Sequence, residues 1–183
     1  MSRPYTPRGR SAGASLLELG VIIALIAILM VIATDRIWAL RVEAERVGVM
    51  DTVGTLRSAL GITIAARLAK GESLSAIASL QNSNPMALLK QVPADYIGEL
   101  ANPKPAEIPP HRWYFDRRQR MLIYRVEYAK QFQSKLGGPP RLRFHIALTY
   151  QDVNSNGRFD PHIDQLRNIG LRAVEPYHWT TGR

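Results

Sequence analysis

The sequence predicts an α+β fold in which a long N-terminal helix packs on a small antiparallel sheet. Three observations carry that expectation. From Leu19 to Thr34 there is no charged side chain, and the run is nearly all aliphatic. From Asp35 to Lys70 no proline or turn cluster interrupts a helical pattern. After Pro110 come three runs of aromatic and branched residues bounded by turn signals. A helix with one apolar stripe and a sheet with one apolar face stabilise each other by covering those surfaces.

The N-terminal element comes first. Residues 1–13 carry Arg3, Arg8 and Arg10 and no acid. By the positive-inside rule that end stays cytoplasmic. The apolar run, with Ala14 to Glu18 in front of it, makes about 20 residues, roughly 30 Å of helix and enough to span a bilayer. A removable secretory signal ending near Val31-Ile-Ala33 and a plain anchor are two readings of such a start. Glu18 fits neither well. An acid at the centre of a membrane helix costs about 2.5–3.5 kcal/mol, less near its end, and neither a signal nor an anchor gains from it.

The stretch Gly13-Ala-Ser-Leu-Leu-Glu18-Leu resembles the leader and cleavage motif of prepilins: a basic leader ending in Gly, Glu at the fifth mature position, then a long aliphatic helix. The resemblance implies cleavage after Gly13 by a prepilin peptidase, with Ala14 as the first mature residue and the site of N-methylation. Family members usually begin with Phe or another large residue, so Ala14 is a departure. It also implies that Glu18 pairs with the N-terminal amine of a neighbouring subunit. A buried acid and a buried amine are each costly until paired, so such a pair would set register.

Beyond Ala33, Val49, Val53, Leu56, Leu60 and Ile64 are spaced four, three, four and four, one stripe on a helix. Arg46, Asp51, Arg57 and Lys70 supply the wet face. A continuous helix from Ala14 to about Ala69 would hold about 56 residues and reach roughly 84 Å, half packed on a domain and half left to lipid or partner subunits. Gly48, Gly54 and Gly61 each cost about 1 kcal/mol in a helix interior. They permit curvature, close contact or a local break. Gly71-Glu-Ser reads as a stop, Leu74 to Leu80 as a short helix, and Asn84 to Lys90 as another with Pro85 in its first turn. The proline-rich stretch from Asn102 to Pro110 is an extended connection. Strands are expected at Arg112 to Asp116, Met121 to Tyr128 and Leu142 to Tyr150, with a hairpin at Asp116 to Arg120 and a turn at Gly137 to Pro140.

Asn84-Pro-Met-Ala-Leu-Leu, Pro93-Ala-Asp-Tyr-Ile-Gly-Glu99 and Trp113-Tyr-Phe-Asp116 also resemble a recurrent pattern in type II secretion pseudopilins and minor pilins. The organisation expected is therefore a leader at 1–13, a transmembrane half-helix at 14–34, an amphipathic half-helix at 35–70 and a periplasmic α+β domain at 71–183, the lollipop pilin fold. The resemblance implies a structural subunit of a type IV pilus or type II secretion pseudopilus, single-pass in a bacterial inner membrane and part of an extracellular filament once assembled. Its partners would be the peptidase, other pilins or pseudopilins, an inner-membrane assembly platform and membrane lipid. A membrane-anchored or exported periplasmic binding domain that does not polymerise is the alternative.

Asp152-Val-Asn154-Ser-Asn156-Gly157-Arg158-Phe-Asp160 places oxygen side chains at alternate positions, then a Gly. That spacing wraps a hard cation, with Arg158 offering a carbonyl. It begins like an EF-hand loop and ends differently: the twelfth position is Ile163, and Asp164, one place later, is the last candidate ligand. Calcium is the expected ion; a plain polar turn is the other reading. His162 has no second His or Cys beside it to make a softer site. The net charge is +9, leaving +6 beyond residue 13 once three leader arginines are subtracted. Those basic residues are scattered and no nucleic acid is expected. No nucleophile elbow, phosphate loop or metalloprotease helix is present, so no enzyme is expected. With no cysteine, the loops must be pinned by something other than a disulfide.

Overall fold

A computed structural model describes residues 16–180, and the expected cleavage site at Gly13 and Ala14 lies outside them, as does the basic leader. The architecture is α+β: a long N-terminal helix α1 (Leu16–Ala69), then a short helix and a mixed five-stranded sheet. The chain divides into two compact units, Met1–Leu40 and Arg41–Arg183.

In the first unit every described residue is helical, and the side chains from Leu16 to Thr34 are exposed. Valine and isoleucine are stiff in a helix and favour strands in water. An apolar solvent reverses that balance, because only intrasegment hydrogen bonds can then satisfy the backbone. Thr34 conforms by donating its hydroxyl to the Met30 carbonyl at 2.8 Å.

In the second unit α1 continues without a break past Gly48, Gly54 and Gly61. The hydroxyls of Thr52 and Ser58 donate to the Gly48 and Gly54 carbonyls at 2.9 and 3.1 Å. The expected stop is real. Gly71 takes φ +73°, its N–H meets the Leu68 carbonyl at 2.9 Å, and that of Glu72 meets the Arg67 carbonyl at 3.0 Å. This is the left-handed glycine cap that satisfies the last carbonyls of a helix. Val49, Val53, Leu56 and Leu60 are all buried, with Ile64 partly buried beside them.

Helix α2 is shorter than expected, Leu74–Ala78, capped by Ser73. The segment at Asn84 makes only a 3-10 turn, Pro85–Leu88. Asn84 explains its own place: its Oδ1 accepts from the Met86 N–H at 3.0 Å, while its Nδ2 donates to Tyr96 Oη at 2.9 Å and Glu99 Oε1 at 2.8 Å.

The sheet runs in the order β1 (Tyr96–Leu100), β2 (Arg112–Asp116), β3 (Met121–Arg125), β5 (Arg141–Gln151), β6 (Gln165–Ala173). A separate ribbon pairs β4 (Phe132–Ser134) with β7 (Tyr177–Trp179). The expected antiparallel sheet is thus mixed, because β1 joins β2 in parallel. Parallel neighbours need a crossover. The proline-rich stretch supplies it, with left-handed residues at its ends, Asn102 at φ +54° and His111 at φ +57°. The expected hairpin closes where Asp116 Oδ1 accepts the N–H groups of Arg118 and Gln119 at 2.8 and 3.0 Å.

The sheet's inner face, Trp113, Phe115, Leu122, Tyr124, Leu142, Phe144, Ile146 and Leu171, packs with the α1 stripe. Trp113, Tyr114 and Phe115 are therefore packing residues. Fully burying one Leu or Phe is worth about 1.5–3 kcal/mol, whereas an exposed ion pair such as Glu43 with Arg46 contributes little because water screens it. The core holds this unit. Without cysteine, Arg125 pins the loops: its Nε donates to the Ile108 carbonyl at 3.3 Å and another guanidinium N–H to the Pro140 carbonyl at 2.8 Å. Ile108 itself packs on the outer face with Tyr114 and Ile123.

Candidate functional site

Two features stand out from the fold, the bare apolar segment of α1 and the loop between β5 and β6. Among the described residues α1 is the one helix long and apolar enough to cross a membrane, as a span or as a signal sequence. Leu16, Leu17, Ile22, Ile26 and Leu29 are all about half or more exposed, so the segment is apolar around its whole circumference. Such a helix normally lies in a core or in a membrane. Glu18 sits in its first turn, where a carboxylate is favoured by the positive end of the helix dipole.

The loop brings the expected oxygen residues together. Asp152 accepts the N–H groups of Asn156 at 3.3 Å and Gly157 at 2.7 Å through its two oxygens. Asn154 Oδ1 accepts the Asn156 N–H at 3.2 Å, and Asn156 Oδ1 accepts that of Arg158 at 2.8 Å. Gly157 at φ +74° and Ser155 at φ +55° give the chain its tight wrap. Asp160 Oδ2 is held by the amide groups of Asn154 at 2.8 Å and Asn156 at 2.7 Å, which keep its pKa below the usual carboxylate range.

Asp164 is placed differently from its neighbours. It is buried, and its oxygens take the N–H groups of Val153 at 2.9 Å and Asp160 at 2.8 Å, closing the loop on itself. No group of three or more His, Cys, Asp or Glu converges at metal-binding spacing among the described residues. A cation here would therefore draw on Asn oxygens as well as Asp152 and Asp160. The donor set is all hard oxygen, which fits calcium. The amide N–H groups now directed at Asp160 stand where a cation would compete, so an ion would replace them.

One buried polar centre had no counterpart in the sequence reading. Glu45, on the α1 face that meets the sheet, is 4% exposed. It accepts the Glu127 N–H at 2.7 Å, the Tyr128 N–H at 3.1 Å and the Tyr124 hydroxyl at 3.0 Å. Tyr124 Oη is also 2.9 Å from His111 Nδ1. The phenol has one proton and gives it to the carboxylate, so Nδ1 of His111 carries the hydrogen of the second bond. Burial, the Glu45 charge and the bond to Glu45 all push the Tyr124 hydroxyl pKa up. A signal for Glu45 existed: Val42, Glu45, Val49 and Val53 are spaced three, four and four, in phase with the buried stripe.

No protein-family model, no curated protein and no solved structure matches this chain.

Proposed function

We propose that this chain is a pilin-like structural subunit, a minor pilin or a type II secretion pseudopilin, with no catalytic role. It is cleaved after Gly13 by a prepilin peptidase and N-methylated at Ala14. It sits single-pass in a bacterial inner membrane with its second unit in the periplasm, and polymerises through α1 together with other pilins or pseudopilins on an assembly platform. One observation carries this reading above the others: a helix apolar around its whole circumference holds one acid, Glu18, in its first turn and then continues into the stripe that covers a sheet. Pairing of Glu18 with a neighbour's N-terminal amine neutralises both charges where lipid and neighbouring helices exclude water.

Mass spectrometry of the mature chain tests the processing step. A start at Ala14 supports the reading, and a start at Thr34 makes the segment a secretory signal and ends it. Glu18→Ala should still be inserted and processed but enter filaments poorly; unimpaired incorporation removes the pairing role.

In the same reading the loop from Asp152 to Asp164 takes one calcium ion. Asp152, Asn154, Asn156 and Asp160 would hold it, with the Arg158 carbonyl, and Asp164 would brace the loop behind them. The ion would supply cross-linking of the loop in place of a disulfide. Calcium should raise the melting temperature of the full chain relative to chelator, and identical melts with Asp152→Ala and wild type in calcium remove the site.

A further inference from the structure

Strand β6 is one of the two edges of the five-stranded sheet, β1 being the other. Its pairing with β5 assigns its backbone groups. The Val174 N–H meets the Arg143 carbonyl at 2.9 Å, and in an antiparallel pair hydrogen-bonded and non-bonded positions alternate. His145 with Arg172 and Ala147 with Gly170 are then bonded pairs, so the N–H and C=O of Ile169 and Leu171 face outward. Arg57 agrees with this assignment, since its Nε donates to the Leu171 carbonyl at 3.3 Å from the open side.

Beside that edge lies a groove of about 280 Å³ between β6 and α1. Leu60, Ile169 and Leu171 give it an apolar floor with Arg57 beside it, and Arg172 follows Leu171 on the opposite face of the strand. Arg172 is held by the Thr149 hydroxyl at 3.1 Å, Arg167 by the Gln151 side chain, and Arg57 by the carbonyl already named. None of the three arginines has an acid within ion-pair distance among the described residues. Gly61 completes the wall. Its absent Cβ would meet nothing within 4 Å, so crowding inside the chain does not require a glycine there. A larger side chain there would therefore fill the groove without crowding the chain's own atoms.

We propose that this groove takes an extended acidic segment of a partner protein, which adds to β6 as a further strand. Alternate side chains of the segment enter the apolar floor, while the acids between them lie on the opposite face of the sheet and meet Arg172 there. A second copy of this chain is the less favoured occupant, because a net charge of +6 beyond residue 13 makes two copies repel. The inference does not need the subunit to polymerise.

Fluorescence anisotropy of the full chain in zwitterionic detergent tests it, with a labelled peptide of alternating Val and Glu as the probe. The Val-Glu peptide should bind saturably, and its Val-Lys counterpart should not. Methylating alternate backbone nitrogens of the peptide should weaken binding at least about tenfold, because strand addition depends on those donors. Gly61→Leu should melt no lower than wild type yet lose binding, and Arg172→Gln should weaken it about tenfold or more. Failure of the Val-Glu peptide to bind overturns the proposal, as does equal binding by the methylated peptide or by Gly61→Leu. Self-association of the chain that the peptide displaces would assign the groove to a second copy and overturn it as well.

Discussion

Glu45 accepts three hydrogen bonds from groups of the sheet and the segment after β3, and the cost of losing it can be bracketed. Glu45→Ala leaves two backbone N–H groups and the Tyr124 hydroxyl without their acceptor in a buried site. Each such group costs about 1–3 kcal/mol when unsatisfied, partly relieved by entering water. A loss of about 2–4 kcal/mol in denaturant unfolding is expected, against little change for Glu43→Ala, whose partner Arg46 lies on the surface. Tyr124 reports the same centre by titration. Its folded pKa lies above the unfolded value, so its contribution is fully present below the unfolded pKa and is lost as pH rises through the folded one. The window is alkaline. Glu45→Gln removes a negative charge that helps hold the phenol neutral, so Tyr124 should ionise at lower pH in that variant when followed by phenolate absorbance. An unchanged titration would mean that burial alone sets the shift.

At the scale of elements the α1 stripe holds the second unit together. Leu56 is wholly buried against the sheet, and Leu56→Ala removes its contacts and leaves a cavity. About 2–5 kcal/mol of destabilisation is expected, whereas Ile62→Ala, at 71% exposed, should change stability little. Equal melts for the two variants would show that the stripe does not pack as described. The stripe was legible because a period of 3.6 residues survives in any helix with one covered face. The β2–β3 hairpin and β5 were legible for the matching reason, alternation bounded by turn residues. Strand β1 was not: Tyr96 to Leu100 is short, contains Gly98 at φ +100°, and has an irregular register with β2. Strand β6 was hidden by its own position. As an edge strand it carries Gln165, Arg167, Asn168 and Arg172 among a few apolar residues, so its pattern reads as loop. β4 and β7 hold three residues each and meet only through tertiary pairing. In the candidate loop, alternating oxygen residues were visible in order, but the bracing role of Asp164 depends on hydrogen bonds that spacing does not encode. Glu45 was missed because a single acid on a helix is usually solvated, and only its phase with the buried stripe says otherwise.

For the whole molecule the two units make opposite demands on solvent. Soluble monomers rarely expose a continuous apolar patch larger than about 300–600 Å², and a helix bare around its circumference from Leu16 to Met30 and beyond exceeds that readily. The second unit has a closed core of its own, and its surface carries the charged residues. Removing residues 1–40 should therefore leave a chain that stays in aqueous solution and unfolds in one cooperative transition at nearly the temperature of the full chain in detergent. The full chain should instead remain with membranes after alkaline carbonate washing. Ile26→Arg separates the possible causes of that retention. An arginine at the middle of a membrane helix costs about 2.5–3.5 kcal/mol on insertion scales. This variant should shift to the soluble or aggregated fraction, with the second unit still melting as before. Retention of Ile26→Arg at wild-type levels would mean that the apolar segment is held by protein contacts and not by lipid, and the span would have to be abandoned even if cleavage after Gly13 were observed.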